Sequence, residues 1–556
     1  MESAELVSRL EALAREVAAL RTRVARLEGA AGETGPADTV PAATVRAEAQ
    51  PLAPGAGMMP AAGRLLLGLA GAFVLRAMAD SGYLHPLFAV GLAAAYAGSW
   101  LVSAIRVART SHVLAGAHVL TAALIAYPMV WETTMRFRAL PPAAAAALLA
   151  TFTVLGLAVT WKRDRGEIVW VTALAGTGSA LGLLVATRDL TAFTGALLAI
   201  ALAAEAGALT DQWLRVRVPV ALAADLAVLL TGWLAGRPQG LPESYAAVST
   251  AAGVALHLGL VAIYAGSVAF RVLARGKRIR YFEIGQNAAA FVIGLAGLVR
   301  IGKAEAAASA LCLAAGLACY GVAFGLLLRR GPRDRTFLVY SAFGLLLLLG
   351  APTLAEGGWF AAVLWGVGAV LATGLSWAPE RRDLRFHATA LAAAAVLVSG
   401  LALFSARALL GESQADVALV AIAFAAAAAS YAMDVAKGPA GGPLLDTVPA
   451  FVYAGAVCWA LLGFAALWAV PGGGGMAVVA RTVLLAGAAL GLRFAGGKFA
   501  RPELLWMVYP VIGFAVYKLL VQDLRAQPAV MAASLVAFGG ALLLLPRLGP
   551  RQPREA

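Results

Sequence analysis

The chain has 556 residues, of which 61% are hydrophobic and 13% charged, and carries a net charge of +14. A soluble domain averages about 25% charged residues, so a string of soluble domains is excluded, and the mean hydropathy of +0.82 agrees. The positive charge falls in short joints between apolar runs, with no P-loop, zinc-ligand spacing or aromatic-interleaved basic patch beside it, which argues against nucleic acid as a partner.

In chain order, the first element is "ELVSRLEALAREVAALRTRVARLEG". Leu6, Leu10, Leu13, Val17, Leu20, Val24 and Leu27 recur at alternating spacings of four and three, which is a heptad seam. Leu10, Val17 and Val24 take the a positions and the four remaining leucines take d, a pattern that favours a parallel dimer. In such a dimer Glu16 can meet Arg21 of the second copy, and Arg23 can meet Glu28; the alternative is an amphipathic helix lying on the bilayer or on its own chain. The spacing therefore predicts a cytoplasmic coiled coil over 1–29. Residues 30–62 turn to Pro, Ala, Gly and Thr without apolar periodicity and are predicted to be a disordered tether. No apolar h-region opens the chain, so no cleavable signal peptide is expected.

From 63 to 547 the sequence predicts a multipass bundle, followed by a basic tail at 548–556. About eighteen apolar segments follow one another, each long enough to cross ~30 Å of hydrocarbon as a helix. They run at 64–80, 86–105, 111–131, 141–161, 167–187, 190–209, 218–235, 244–270 and 281–300 in the first half. The second half holds 306–328, 336–350, 359–377, 386–406, 413–433, 447–470, 477–493, 502–520 and 528–546. Joints of even rank, such as "ARGKRIR" and "LRRGPRDR", hold most of the Lys and Arg, and joints of odd rank hold few. By the positive-inside rule the even joints and both termini are cytoplasmic. Arginine dominates the cations in an Ala- and Gly-rich chain, which suggests a GC-rich bacterium and hence its inner membrane. The fold class is an all-α polytopic membrane protein of about 18 helices preceded by a short coiled coil. Gly178/Gly182 and Gly487/Gly491 form GxxxG pairs that would permit close helix contact.

Ionisable residues at membrane depth are the candidate functional positions. Glu205 and Asp225 fall at similar depth on consecutive antiparallel helices, where two carboxylates can share a proton or bind a cation, or where each is simply hydrogen-bonded to a neighbouring helix or sits in a thinned, watery margin. His257 and His118 are possible relay members or simply satisfied core histidines. Glu283, Gln286 and Asn287 lie where capping of a helix start explains them. A second layer, at the opposite face, contains Arg76, Asp80, Glu132, Arg481, Lys518 and Asp523. Lys518 and Asp523 are about 140° apart around a helix, so no pairing on one helix face is expected; Lys518 can snorkel outward, and Asp523 lies in the joint before the last helix. The two are expected to fix the outer end of the 502–520 segment against its neighbours, with Asp80, Glu132 and Asp523 as the acids available to Lys518 and Arg481. Cys312, Cys319 and Cys458 all lie in apolar runs with no CxxC, so neither a disulfide framework nor a metal site is expected, and no cofactor is implied.

The C-terminal stretch "YKLLVQDLRAQPAVMAASLVAFGGALLLLPR" resembles the end of a family of bacterial membrane proteins known as domain of unknown function 2339. The likeness rests on Lys518, Asp523-Leu524, Ser534, Gly539 and Arg547. "GRLLLGLAGAFVLRAMADSGYL" is similar to the family's first helix, with its aspartate and glycine at Asp80 and Gly82. The resemblance implies a coiled coil, a tether and a long series of transmembrane helices, and it implies no activity.

Three functions fit these residues. One is an envelope scaffold that self-associates through the coiled coil, with the lipid bilayer and a second copy of the chain as partners. Another is a transporter coupled through Glu205 and Asp225, or through the outer layer of Arg481 and Lys518, although neither an inverted repeat of these residues nor a pair of clearly broken helices is evident. The last is a lipid-linked-donor glycosyltransferase with Asp80 as its acid.

Overall fold

The computed structural model describes residues 58–108, 111–160, 166–212, 215–330, 334–355, 357–378, 383–412, 416–437, 444–470 and 474–548. The predicted coiled coil at 1–29, nearly all of the tether and the tail from 549 onward lie outside the described residues. Among those residues the fold is entirely helical. The first nine long helices are α1 (Met58–Asp80), α2 (Pro86–Val107), α3 (His112–Met135), α4 (Pro142–Thr160), α5 (Gly166–Thr187), α6 (Leu190–Leu209), α7 (Arg217–Ala235), α8 (Thr250–Ala269) and α9 (Tyr281–Arg300). Then follow α10 (Glu305–Tyr320), α11 (Arg335–Leu354), α12 (Gly358–Leu375), α13 (Leu384–Val398), α14 (Leu401–Leu410), α15 (Val417–Ala436), α16 (Leu444–Ala469), α17 (Gly475–Lys498), α18 (Pro502–Val521) and α19 (Pro528–Leu544).

Where about eighteen spans were expected, sixteen of these helices among the described residues are long and apolar enough to cross a membrane, or seventeen if α13 and α14 form one span bent by 47°; α1, which answers to the segment expected at 64–80, is not among them. α13 and α14 together answer to the segment expected at 386–406. That segment breaks at Ser399–Gly400 because Gly400 adopts a left-handed φ of 67°, which an L side chain resists. Among the described residues this is one bent span. The segment expected to begin at 244 begins at Thr250, because Ser249 accepts the Ala252 N–H at 3.2 Å and caps α8. Asp416 likewise moves the start of the 413–433 segment to Val417 by accepting the Leu419 N–H at 3.2 Å.

Lipid offers no hydrophobic drive between helices, so close fit and hydrogen bonds must hold them. Buried hydroxyls return to their own helix: Thr177 donates to the Ala173 carbonyl at 2.6 Å, and Thr231 to Ala227 at 2.8 Å. A broad core joins α3 to α9 around Leu149, Phe193, Leu197 and Val228. Leucines such as Leu222, Leu229, Leu346 and Leu543 remain exposed, as lipid-facing positions should. The GxxxG pairs do not act as expected. Gly178, Gly487 and Gly491 face open space, and only Gly182 is closely packed, against Trp131.

Contacts between joints obey one rule. Even joints meet even joints: Arg335 reaches the Ile279 carbonyl, Lys437 the Ser376 carbonyl, and Arg501 the Val435 carbonyl. Odd joints meet odd ones: Ala246 reaches Arg188, Trp359 reaches Asp416, and Gln522 reaches Leu410. A chain that crosses a slab at every segment produces this segregation. The Arg-rich joints therefore share one face of the bundle.

Candidate functional site

Near the Arg-rich face, α6, α7, α8 and α9 converge on a buried ionic cluster. The joint between α6 and α7 is short, so Arg217, the first residue of α7, folds back along α6 and meets Glu205. Its Nε and Nη2 donate to the two Glu205 carboxylate oxygens at 2.8 and 2.7 Å. Its third nitrogen, Nη1, donates to Glu283 Oε1 at 3.1 Å. Arg271 lies on a π-helical turn, Phe270–Ala274, that closes α8, and it donates to the same Glu283 oxygen at 2.5 Å. Glu283 Oε2 meanwhile accepts the Arg280 backbone N–H at 2.9 Å, so the expected cap of α9 is present within a larger network. Ser267 donates to Glu205 Oε2 at 2.5 Å. Arg217, Arg271, Glu205 and Glu283 are each no more than 3% exposed. Two cations and two anions with this geometry neutralise one another, which is the condition for burying charge.

At the rim of the cluster Asp211 gathers Lys277 at 2.9 Å, Arg271 at 3.3 Å and Arg280 at 3.5 Å. The Lys277 hydrogen bond, aided by the charges of Lys277, Arg271 and Arg280, holds the Asp211 carboxyl below its ordinary pKa against the opposing effect of burial.

Of the arrangements open to Glu205 and Asp225, the structure has separate hydrogen bonds to neighbouring helices. Asp225 accepts both of its bonds from the Gln286 amide, at 2.8 and 2.9 Å. Asn287 donates to the Glu283 carbonyl at 2.8 Å. His257 shares a hydrogen bond with the Gly253 carbonyl at 2.8 Å, and its ring is clamped between Gly232 and Gly297. A Cβ at Gly297 would lie 2.0 Å from the imidazole, so only glycine admits it. His118 bonds the Leu114 carbonyl at 2.6 Å.

The opposite face carries the second cluster. Lys518 Nζ donates to Asp523 Oδ1 at 2.6 Å, and both side chains are fully buried, so the two pair directly although one helix face cannot hold them both. They meet because α18 ends at Val521 and Asp523 sits on a following 3₁₀ turn, Asp523–Arg525, that folds back. Lys518 does not snorkel. Its two other donors go to the Val478 carbonyl at 3.0 Å and Thr482 Oγ1 at 2.8 Å, and Thr482 donates to Asp523 Oδ2 at 2.6 Å. Arg481 donates to the Val470 carbonyl at 3.0 Å and lies against Gly411, whose φ of 88° also requires glycine. Arg76, Asp80 and Glu132 meet elsewhere on this face, where Arg76 contacts Glu132 at 2.8 Å and Asp80 at 3.8 Å.

Sequence reasoning read the arginines of the even joints as topology charges, and so missed Arg217 and Arg271 as network members. It also missed Arg385–Asp434 at 2.5 Å, Tyr431–Glu503 at 3.2 Å and Tyr320–His387 at 2.5 Å. Their separations of 49 to 72 residues leave no local signal.

Among the described residues no group of three or more His, Cys, Asp and Glu side chains is arranged to hold a metal ion. The helices and these neutralised clusters define a multipass helical membrane protein. No family model matches the chain, and no curated protein or solved structure is similar to it.

Proposed function

We propose that the chain is a scaffold of a bacterial inner membrane, akin to the domain of unknown function 2339 proteins, that dimerises through its N-terminal coiled coil with both termini in the cytoplasm. The carrying observation is that the most deeply buried carboxylate proposed for chemistry, Glu205, has both oxygens occupied by Arg217 and one of them also by Ser267. A carboxylate so engaged holds helices together and is poorly placed to exchange an ion. The heptad seam from Leu6 to Leu27 supplies the means of association. Val17→Asp puts a charge into that seam and abolishes cysteine crosslinking of the full chain in membranes. Crosslinking at the wild-type level in that variant removes the dimer from the account.

One observation favours a transporter as the second reading. Asp225 is paired with the neutral Gln286 amide and no cation, so it is the carboxylate that a coupling proton or cation would use. In proteoliposomes holding the purified chain, the scaffold reading gives the same proton and sodium leak for wild type and Asp225→Asn. A leak present in wild type and lost in the variant establishes the transporter instead.

A further inference from the structure

Between α1, α2 and α3 lies a cavity of about 180 Å³, away from both clusters above. Its wall along α1 runs from Leu69 to Ala79, about 15 Å at the helical rise, which is half the ~30 Å hydrocarbon thickness. The deep end is apolar, lined by Leu69 and Leu124. The shallow end reaches the joints that follow α1 and α3 and is lined by Arg76, Glu132 and Phe137. One leaflet's depth, apolar within and charged at the surface, is the shape of a single acyl chain with its headgroup. The helix wall is itself modified there: Pro128, inside α3, has no N–H to give to the Leu124 carbonyl.

Arg76 and Glu132 line the mouth, and Asp80 and Arg136 continue the ion pairs from Arg76 outside the cavity lining; together these charges select the headgroup. They alternate in sign along one line: Glu132 to Arg76 at 2.8 Å, Arg76 to Asp80 at 3.8 Å, and Asp80 to Arg136 at 3.5 Å. The last two distances are long for ion pairs, and Arg136 is 55% exposed while Asp80 is 35% exposed. Both are therefore open to a further partner of each sign. An anionic headgroup would satisfy the arginines and repel Asp80 and Glu132. A headgroup with a phosphate and a primary ammonium satisfies both, the phosphate accepting from the guanidinium groups and the ammonium donating to the carboxylates.

The geometry points to a binding site for a zwitterionic aminophospholipid, one acyl chain in the α1–α3 cavity and its phosphate and ammonium on Arg76, Arg136, Asp80 and Glu132. This site is independent of the scaffold reading and survives its failure.

The test is native mass spectrometry of the delipidated full chain in detergent with added phosphatidylethanolamine, phosphatidylcholine or phosphatidylglycerol. Phosphatidylethanolamine is retained roughly tenfold more than either other lipid, the size expected of one charge-assisted hydrogen bond. Ala93→Phe fills the cavity and removes that retention. Arg136→Gln, at an exposed position that leaves the fold undisturbed, reduces it and narrows the preference among the three lipids. Equal retention of the three lipids by the wild type overturns the proposal. So does undiminished phosphatidylethanolamine binding in an Ala93→Phe protein that elutes and melts like the wild type, or in Arg136→Gln.

Discussion

Lys518 shows how a residue that reads as a topology charge becomes a structural one. A lysine closing an apolar helix normally extends to the interface. Here its three donors go to Asp523, Thr482 and the Val478 carbonyl, and no part of the side chain is exposed. A pair of this kind contributes little over an apolar filling, but removing one partner strands the other and costs about 3–5 kcal/mol. Asp523→Ala and Lys518→Ala should each lower the melting temperature of the purified protein clearly, and the double variant should cost less than the two singles combined. Small, additive losses would mean that water reaches both groups. The sequence made the residue types visible and hid their pairing. The apolar run at 502–520 already places Asp523 beyond the helix, but the 3₁₀ turn that folds it back onto Lys518 carries no local signal.

At the scale of elements, the apolar runs were legible because lipid imposes a length and forbids unpaired backbone. Each expected segment has its helix, with ends shifted by caps such as Ser249 and Asp416. The break at Gly400 was not legible, since a glycine in an Ala- and Gly-rich span carries no distinctive signal until its φ is known. Helix contacts were misjudged for a related reason. Motif spacing nominated Gly487 and Gly491, which touch nothing, while the tight approach falls at Gly232 and Gly297 around the His257 ring. The partner of a small residue decides its use, and that partner lies on another helix. The same limit separates Glu205 from Arg217 and Glu283 in the sequence, although α6, α7 and α9 bring all three together.

For the molecule as a whole, the organising fact is the division into two faces. The Arg-rich even joints touch one another, the odd joints touch one another, and the buried clusters keep to one face or the other. Glu205, Arg217, Arg271 and Glu283 lie toward the even face. Lys518 and Asp523 lie toward the odd face, as do Arg76 and Glu132. Alternation of charge along the sequence carried this property, because it depends only on counting crossings, whereas the contents of each cluster depend on how helices pack. The central claim is therefore topological. The direct measurement is impermeant thiol labelling of intact cells with single cysteines in a cysteine-free chain. Gly276→Cys, in the Arg-rich joint after α8, should be shielded until the membrane is permeabilised, and Gly474→Cys, in the joint before α17, should label from outside. Labelling of both positions in intact cells, or of Gly276→Cys alone, would contradict the account.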